Sequence, residues 1–298
     1  MKINTSLLIA FALIIIVSPL NLIAQDTTET EKKKWEWSWE FDELEEWVHF
    51  GKKMPSISFL YGLTNIEHKN ISDSFADANL LELNLGHTTR RTSRYADNIL
   101  KYSYRYLFLG YISSDLAGGS VNENQLNSKT WRFGFGRSSG YVYKMGTAAI
   151  IPFYTYSFDW TKIDFTNAAT NEEDQHRIDR FEGALRFGSS NEGGLRIVAT
   201  SLITVEASYE RSIVFERHLF WKWAGSAIIE AAAQGLIDIF IKEIFYSSPE
   251  AGPIVYFVLK SALGYGIYEL RQEKMNWPFS IAPPLSFDNI KFGVTFTF

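Results

Sequence analysis

The sequence predicts an all-β protein with a helical insert: an antiparallel transmembrane β-barrel of about eight strands or somewhat more, with a helical hairpin before the last strand. Three observations carry this prediction. Segments of about ten residues alternate apolar and polar side chains, the period of a strand with two unlike faces. Aromatic residues make up 16% of the chain, with 23 Phe, 15 Tyr and 9 Trp, yet the overall hydropathy is near neutral. A strand that shows only alternate residues to lipid has that composition, whereas a bundle of spanning helices is apolar throughout. The last residues, KFGVTFTF, alternate to the final phenylalanine with no polar tail to cover the apolar face.

The chain begins with Lys2, an apolar run from Leu7 to Val17, and Ser18-Pro19 before NLIAQ. A short positive region, an apolar core of about 7–15 residues and a small residue before a polar start describe a secretory signal peptide. Cleavage is expected after Ala24, which makes residues 1–24 the signal. The apolar core falls short of the ~20 residues that a spanning helix needs. Residues 25–53 form an acidic, tryptophan-rich extension, with Trp35, Trp37, Trp39 and Phe41 alternating and Leu44, Trp47 and Val48 at looser spacing. Such tryptophans favour a membrane–water boundary.

Residues 54–298 read as the barrel. The expected strands lie in 56–63, 79–86, 100–111, 130–137, 150–160, 180–188, 202–210 and 291–298. In the second, Leu81, Leu83 and Leu85 share one face and Glu82, Asn84 and Gly86 the other. In the third, Tyr102, Tyr104, Tyr106 and Phe108 are read as the lipid face and Lys101, Ser103 and Arg105 as the lumen face. The fourth sets Trp131, Phe133 and Phe135 against Arg132, and the fifth sets Tyr154, Tyr156, Phe158 and Trp160 against Asp159. The sixth and seventh place Glu182, Arg186 and Glu206 on the polar face. A soluble sandwich also alternates, but its strands usually run five or six residues. A transmembrane strand needs about 9–11. The segments 64–76, 113–128 and 161–178 are long and polar, as outer loops of bacterial barrels are.

The final segment sets Lys291, Gly293, Phe296 and Phe298 at the spacing of a polar residue, a glycine and two alternating hydrophobics that end in an aromatic. This resembles the assembly signal in the last strand of Gram-negative outer-membrane β-barrel proteins. The resemblance covers eight residues and joins a signal peptide and barrel-like strands. It implies outer-membrane lipid and the barrel assembly machinery as partners.

Residues of about 219–275 break the alternation. WAGSAIIEAAAQGLIDIFIKEIF (223–245) reads as a helix whose polar residues Glu230, Gln234, Asp238 and Lys242 recur every four positions and form one narrow stripe. A second helix is expected over 254–274, with Lys260 in an apolar run, and a proline-rich stop follows. The pair could bury its stripe-free faces against itself or the barrel, lie in the membrane interface or dock a partner, or plug the lumen. Two spanning helices are disfavoured, because Glu230, Asp238 and Lys260 would sit at costly depths.

Little in the sequence points to chemistry. Glu82, Lys101, Arg105, Arg132, Glu182, Arg186, Glu206 and Lys291 mix both signs on the expected lumen face, and buried charges must pair. A salt-bridged interior is therefore expected, with a conduit for small solutes as the alternative. With no cysteine, thiol chemistry and Cys-based metal sites are excluded. His87 in GHTTRR would meet lipid at a strand end, where a lipid-modifying hydrolase could place a base. It resembles the histidine of lipid A deacylases only loosely, since Thr89 stands where their serine would be. His218 sits beside Glu216, Arg217, Trp221 and Trp223, as in an interfacial belt. No histidine pair has metal-ligand spacing, and no cofactor is implied. The net charge of −5 argues against nucleic acid. The expectation is a non-catalytic protein whose insert and extension contact lipid or other envelope proteins.

Overall fold

The computed structural model describes residues 53–93, 99–117, 125–145 and 148–298. The expected signal peptide and residues 25–52 of the extension lie outside the described residues. Eight strands form the barrel: β1 (Met54–Glu67), β2 (Ala78–Thr92), β3 (Leu100–Ser113), β4 (Ser128–Met145), β5 (Ala148–Phe165), β6 (Leu185–Val198), β7 (Ile203–Val214) and β8 (Leu285–Thr297). Each pairs antiparallel with its neighbours in sequence, and β8 pairs with β1 to close the cylinder. Closure leaves no sheet edge to aggregate or to face lipid unpaired.

The strands run 12–18 residues, beyond the segments whose alternation is plain in the sequence. The extra length is polar or irregular in pattern, so the ladder continues where the apolar face stops. The connections after β1, β3, β5 and β7 emerge at one end, here the loop end. Those after β2, β4 and β6 emerge at the other, the turn end, from which β1 starts and where β8 finishes. The long polar segments expected as loops all fall at the loop end.

There the short helix α1 (Glu172–Ile178) is capped by Asn171, whose side chain accepts from the Asp174 N–H at 2.8 Å. Asp174 in turn accepts from the Ser72 N–H at 2.8 Å and the Ser72 hydroxyl at 2.5 Å, which ties α1 to the first loop.

Burial alternates along each strand and separates an inner from an outer face. On β1, Ser56, Ser58, Leu60 and Thr64 are buried while Phe59, Tyr61 and Leu63 are exposed. On β2, Leu81 and Leu85 point out and Glu82 and Asn84 point in. Strand β3 reverses the expected assignment. Tyr102, Tyr104, Tyr106 and Phe108 fill the lumen, and Lys101 and Arg105 lie on the outer wall with Leu107 and Leu109. The neighbouring strands leave room for these rings: a Cβ on Gly136 of β4 would come 2.5 Å from Tyr106, and one on Gly134 2.9 Å from Phe108. Large and small side chains on adjacent strands fill a narrow barrel in this way.

Between β7 and β8 lie α2 (Phe220–Ser247) and α3 (Gly252–Glu273), an antiparallel pair. Pro253 in the first turn of α3 suits a position whose N–H has no helical acceptor. At 28 and 22 residues they are about 42 and 33 Å long. The hairpin lies neither in the lumen nor apart from the barrel. Helix α3 packs along the outer wall of β4 to β7. At the loop end Trp223 meets Phe158 and Phe187, and Tyr268 and Met275 pack with Ile213 and Phe215. At the turn end Ile241 and Phe245 pack on Ile99 and Tyr141, and the Tyr143 hydroxyl donates to the Glu250 carbonyl at 2.8 Å. The pair thus runs the height of the barrel.

Candidate functional site

The lumen is the first candidate, and its middle is a charged layer. Five carboxylates, Glu82, Asp159, Glu192, Glu206 and Glu210, and three cations, Arg132, Arg196 and Lys291, are buried there. Each reaches the lumen by the inward parity of its strand. Lys291 Nζ lies 2.6 Å from Glu210, 3.2 Å from Glu192 and 3.4 Å from Glu82. Arg132 bridges the same set, with one nitrogen 2.9 Å from Glu82 and the other 2.6 Å from Glu210. Arg196 pairs with Glu206, donates to Ser138 at 2.7 Å and lies over the Phe153 ring at 3.7 Å. Neutral donors add to the set: Ser208 donates to Glu192 at 2.5 Å, Thr161 to one Asp159 oxygen at 2.7 Å and Asn289 to Glu210 at 3.3 Å.

Packed layers flank this one on both sides, the loop-end one apolar and the turn-end one mixed. Toward the turn end stand Tyr102, Tyr104, Tyr106 and Phe108 with Val142, Ile151 and Val198. Toward the loop end stand Ile66, Leu80, Ile112, Ile163, Val214 and Phe287, with Phe181 folded over the mouth from the loop after α1. All of these charges but Asp159 thus pair with one another, between an apolar loop-end layer and a turn-end layer of aromatic rings, Ser and Thr hydroxyls and Arg90.

Of the residues expected in the lumen, Glu82, Arg132, Glu206 and Lys291 meet in this layer. Lys101 and Arg105 do not, because β3 turns its tyrosines inward. Glu182 is exposed in the loop before β6, where it bridges to Ile163. Arg186 has inward parity but sits at the mouth, where it donates to the Arg180 carbonyl. Four partners were missed. Arg196 and Glu192 fall in a stretch read as a loop, Glu210 closes the seventh segment, and Asp159 was seen only as polar. An acidic or basic residue two or four positions from Glu206 on the same strand parity was the signal available for Glu210.

Among the assembly-signal residues, Lys291 and Gly293 point in, and Phe296 and Phe298 point out. The Phe298 N–H donates to the Pro55 carbonyl at 2.9 Å, beside the β1–β8 seam.

The hairpin is the second candidate. Its polar stripe faces α3, not open surroundings, as three of its four residues show. Arg271 of α3 lies 2.9 Å from Glu230, and Lys260 lies 2.6 Å from Asp238 and 2.8 Å from the Gln234 side-chain oxygen. Lys242 is the exception; it is exposed and sits over the Tyr246 ring at 5.6 Å. Because α3 supplies two cations, the stripe is a seam between helices. The opposite face of α2 exposes Ile228, Leu236, Ile239 and Phe240, and α2 is long and apolar enough to cross a membrane.

The hairpin is also bound to the wall. Arg211, which points outward from β7, lies 2.6 Å from Glu269 of α3 and over Tyr265 and Tyr268 at 4.2 and 4.5 Å. The Tyr268 hydroxyl donates to Asp288 of β8 at 2.9 Å. Gly193 of β6 lets α3 approach: a Cβ there would lie 2.9 Å from the Ser261 hydroxyl.

Neither singled-out histidine has the company of a hydrolase. His87 points outward from β2 with Arg105 opposite, and the Thr89 hydroxyl donates to the Ser103 carbonyl at 3.4 Å. His218 lies in an aromatic cluster with Phe187 and Trp223 at 5.1 and 5.6 Å. Among the described residues no group of His, Asp and Glu is arranged to hold a metal ion.

No family model matches the sequence, and no curated protein matches it. Solved structures do resemble it. The crystal structure of Neisserial surface protein A has a TM-score of 0.38 at 7% identity, covering 82% of this chain and 97% of that one. That of Ail, the attachment invasion locus protein of Yersinia pestis, has a TM-score of 0.31 at 8% identity, covering 83% and 99%. Both are eight-stranded outer-membrane barrels. The architecture here is likewise a closed antiparallel eight-stranded barrel, with two helices between strands 7 and 8.

Proposed function

We propose that the protein is a non-catalytic component of a Gram-negative outer membrane, in which a sealed barrel holds a helical hairpin upright beside it for contact with other envelope proteins. The observation that carries this reading is the hairpin's polarity. Its charged stripe is turned onto α3, its second helix is fixed to the wall by Arg211 and Tyr268, and its outermost face is apolar. A barrel that needed only to fold would gain nothing from such a face, and large apolar patches mark lipid or protein contacts. The lumen supports the same reading, because paired charges between two packed layers leave little for a solute to pass through. The outward faces of β1 to β4 carry Phe59, Leu81, Leu109 and Phe133, which suit lipid. The short turns then face the periplasm and the long loops the outside.

The test replaces residues 219–275 by a short β7–β8 loop and compares envelope complexes on native gels. An altered complex around an intact barrel is the expected result. Every complex unchanged overturns the proposal.

A further inference from the structure

We propose that the outer wall at the turn-end half of β2, β3 and β4 binds an anionic phospholipid of the leaflet at that end, through Arg105 and Arg137 with His87 beside them. The inference rests on the reading of the barrel as membrane-embedded and adds a ligand that the reading does not require.

The register places the three residues in one row. His87 is the direct cross-strand partner of Arg105, and Arg105 is the direct partner of Arg137. All three are exposed on the outer face. Directly opposed residues have Cβ atoms about 4.5–5.5 Å apart, and like charges in that position repel. Two guanidinium groups face each other here. Among the described residues no carboxylate forms an ion pair with Arg105, Arg137 or Arg91. Asp238 of the hairpin is paired with Lys260 at 2.6 Å.

Depth makes the row more costly still. One pair toward the loop end, Leu85, Leu107 and Phe135 continue the same three strands as exposed apolar residues. Two pairs toward the turn end stand Arg91 and Lys101. The row thus lies about four residues, ~13 Å of strand, inside the last cations of the wall. Arginine on the lipid face is destabilising by a depth-dependent amount unless something compensates it. The surface dips at this point, in a shallow depression lined by Ile57, Leu85, His87, Arg105, Phe135 and Arg137. A phosphate at the row and acyl chains over the leucines and Phe135 match both halves of that lining. A planar guanidinium binds phosphate through two parallel N–H donors, so a facing pair can clasp one headgroup. The short turns of a barrel lie on the periplasmic side, so the ligand is a phospholipid of the inner leaflet and not lipopolysaccharide.

The experiment uses the full chain, folded in detergent and equilibrated with equal amounts of phosphatidylglycerol and phosphatidylcholine. Lipid retained through gel filtration is counted by mass spectrometry. The wild type should retain phosphatidylglycerol over phosphatidylcholine by about tenfold. R105Q/R137Q should bring that ratio close to one, R105K/R137K should keep most of it, and K129Q at the loop end should leave it unchanged. Equal retention of both lipids by the wild type overturns the proposal, as does undiminished selectivity in R105Q/R137Q. In a parallel sample with lipopolysaccharide added in equal amount, displacement of phosphatidylglycerol by it also overturns the proposal. So does a variant in which only protease access to the acidic 35–50 stretch changes, since the chain itself would then be the occupant. Heat-dependent gel migration is read on every sample. A closed barrel without lipid selectivity removes this inference alone, whereas a soluble, unshifted chain removes the membrane reading beneath it.

Discussion

Lys291 touches three carboxylates with its single ammonium group and is buried among them. Removing one partner of a buried ionic set leaves the others desolvated and unpaired, at a cost of roughly 3–5 kcal/mol. Lys291→Met should therefore lower the unfolding free energy obtained from urea titration by that amount, whereas a change at exposed Lys129 should move it little. A pH effect belongs to the same scale. Burial holds the His68 imidazole below its ordinary 6.5. For Asp174, burial opposes ionisation but is outweighed by hydrogen bonds from Ser72, Asn171 and Asp73, so its carboxyl stays well below 3.8. Both folded values are depressed, so their stabilisation is complete above the unfolded values and is lost as pH falls through the folded ones. Proteolysis of the loop end should thus speed up from below about pH 6.5, first through His68 and at much lower pH through Asp174. Asp174→Ala should weaken the loop end already at neutral pH. Legibility at this scale was uneven. Glu82 and Arg132 were readable because leucines and aromatics flank them on clean alternating strands. Lys101 and Arg105 were misread because β3 carries apolar residues on both parities. Only the inward glycines of β4 decide that its tyrosines are the ones buried.

The helical hairpin shows what an element's sequence can and cannot say. Both helices were legible from composition and from the proline-rich stop. The four-residue spacing of Glu230, Gln234 and Asp238 fixes that they share a face. It does not say what the face meets, because Lys260 and Arg271 come from a segment whose register against α2 is set by packing on the wall. The geometry of that packing can be tested without disturbing it. Gly193 of β6 and Ser261 of α3 are close enough that a Cβ added to the glycine lies 3.5 Å from the serine Cβ. Disulfides join Cβ atoms about 3.5–4.5 Å apart, and the chain has no cysteine of its own to compete. G193C/S261C should oxidise nearly completely and the two residues should appear as one linked peptide by mass spectrometry. A pair moved to the bare wall, such as F59C/S261C, should stay reduced.

At the scale of the whole molecule the sealed lumen predicts electrical silence. Purified protein in a planar bilayer should give no conductance steps above baseline, and a steady open level would mean that the packed layers of the lumen do not hold. The barrel's outline was legible because a closed sheet with unlike inner and outer faces gives most of its strands a period of two. Strand lengths were less so, because beyond the apolar band nothing forces alternation and β4 runs to Met145 through Tyr141 and Val142. The position of the hairpin in the chain also has a kinetic consequence. Strand β8 pairs with β7 behind it and β1 more than two hundred residues before it, and it is the last to be made. Everything from Phe220 to Glu273 stands in the chain between the last two staves, so β8 reaches its two partners only after these helices have been made. Loop closure over such a span is slow. A hairpin that hesitates would leave β1 and β8 apart, and the ring would wait open on its final seam.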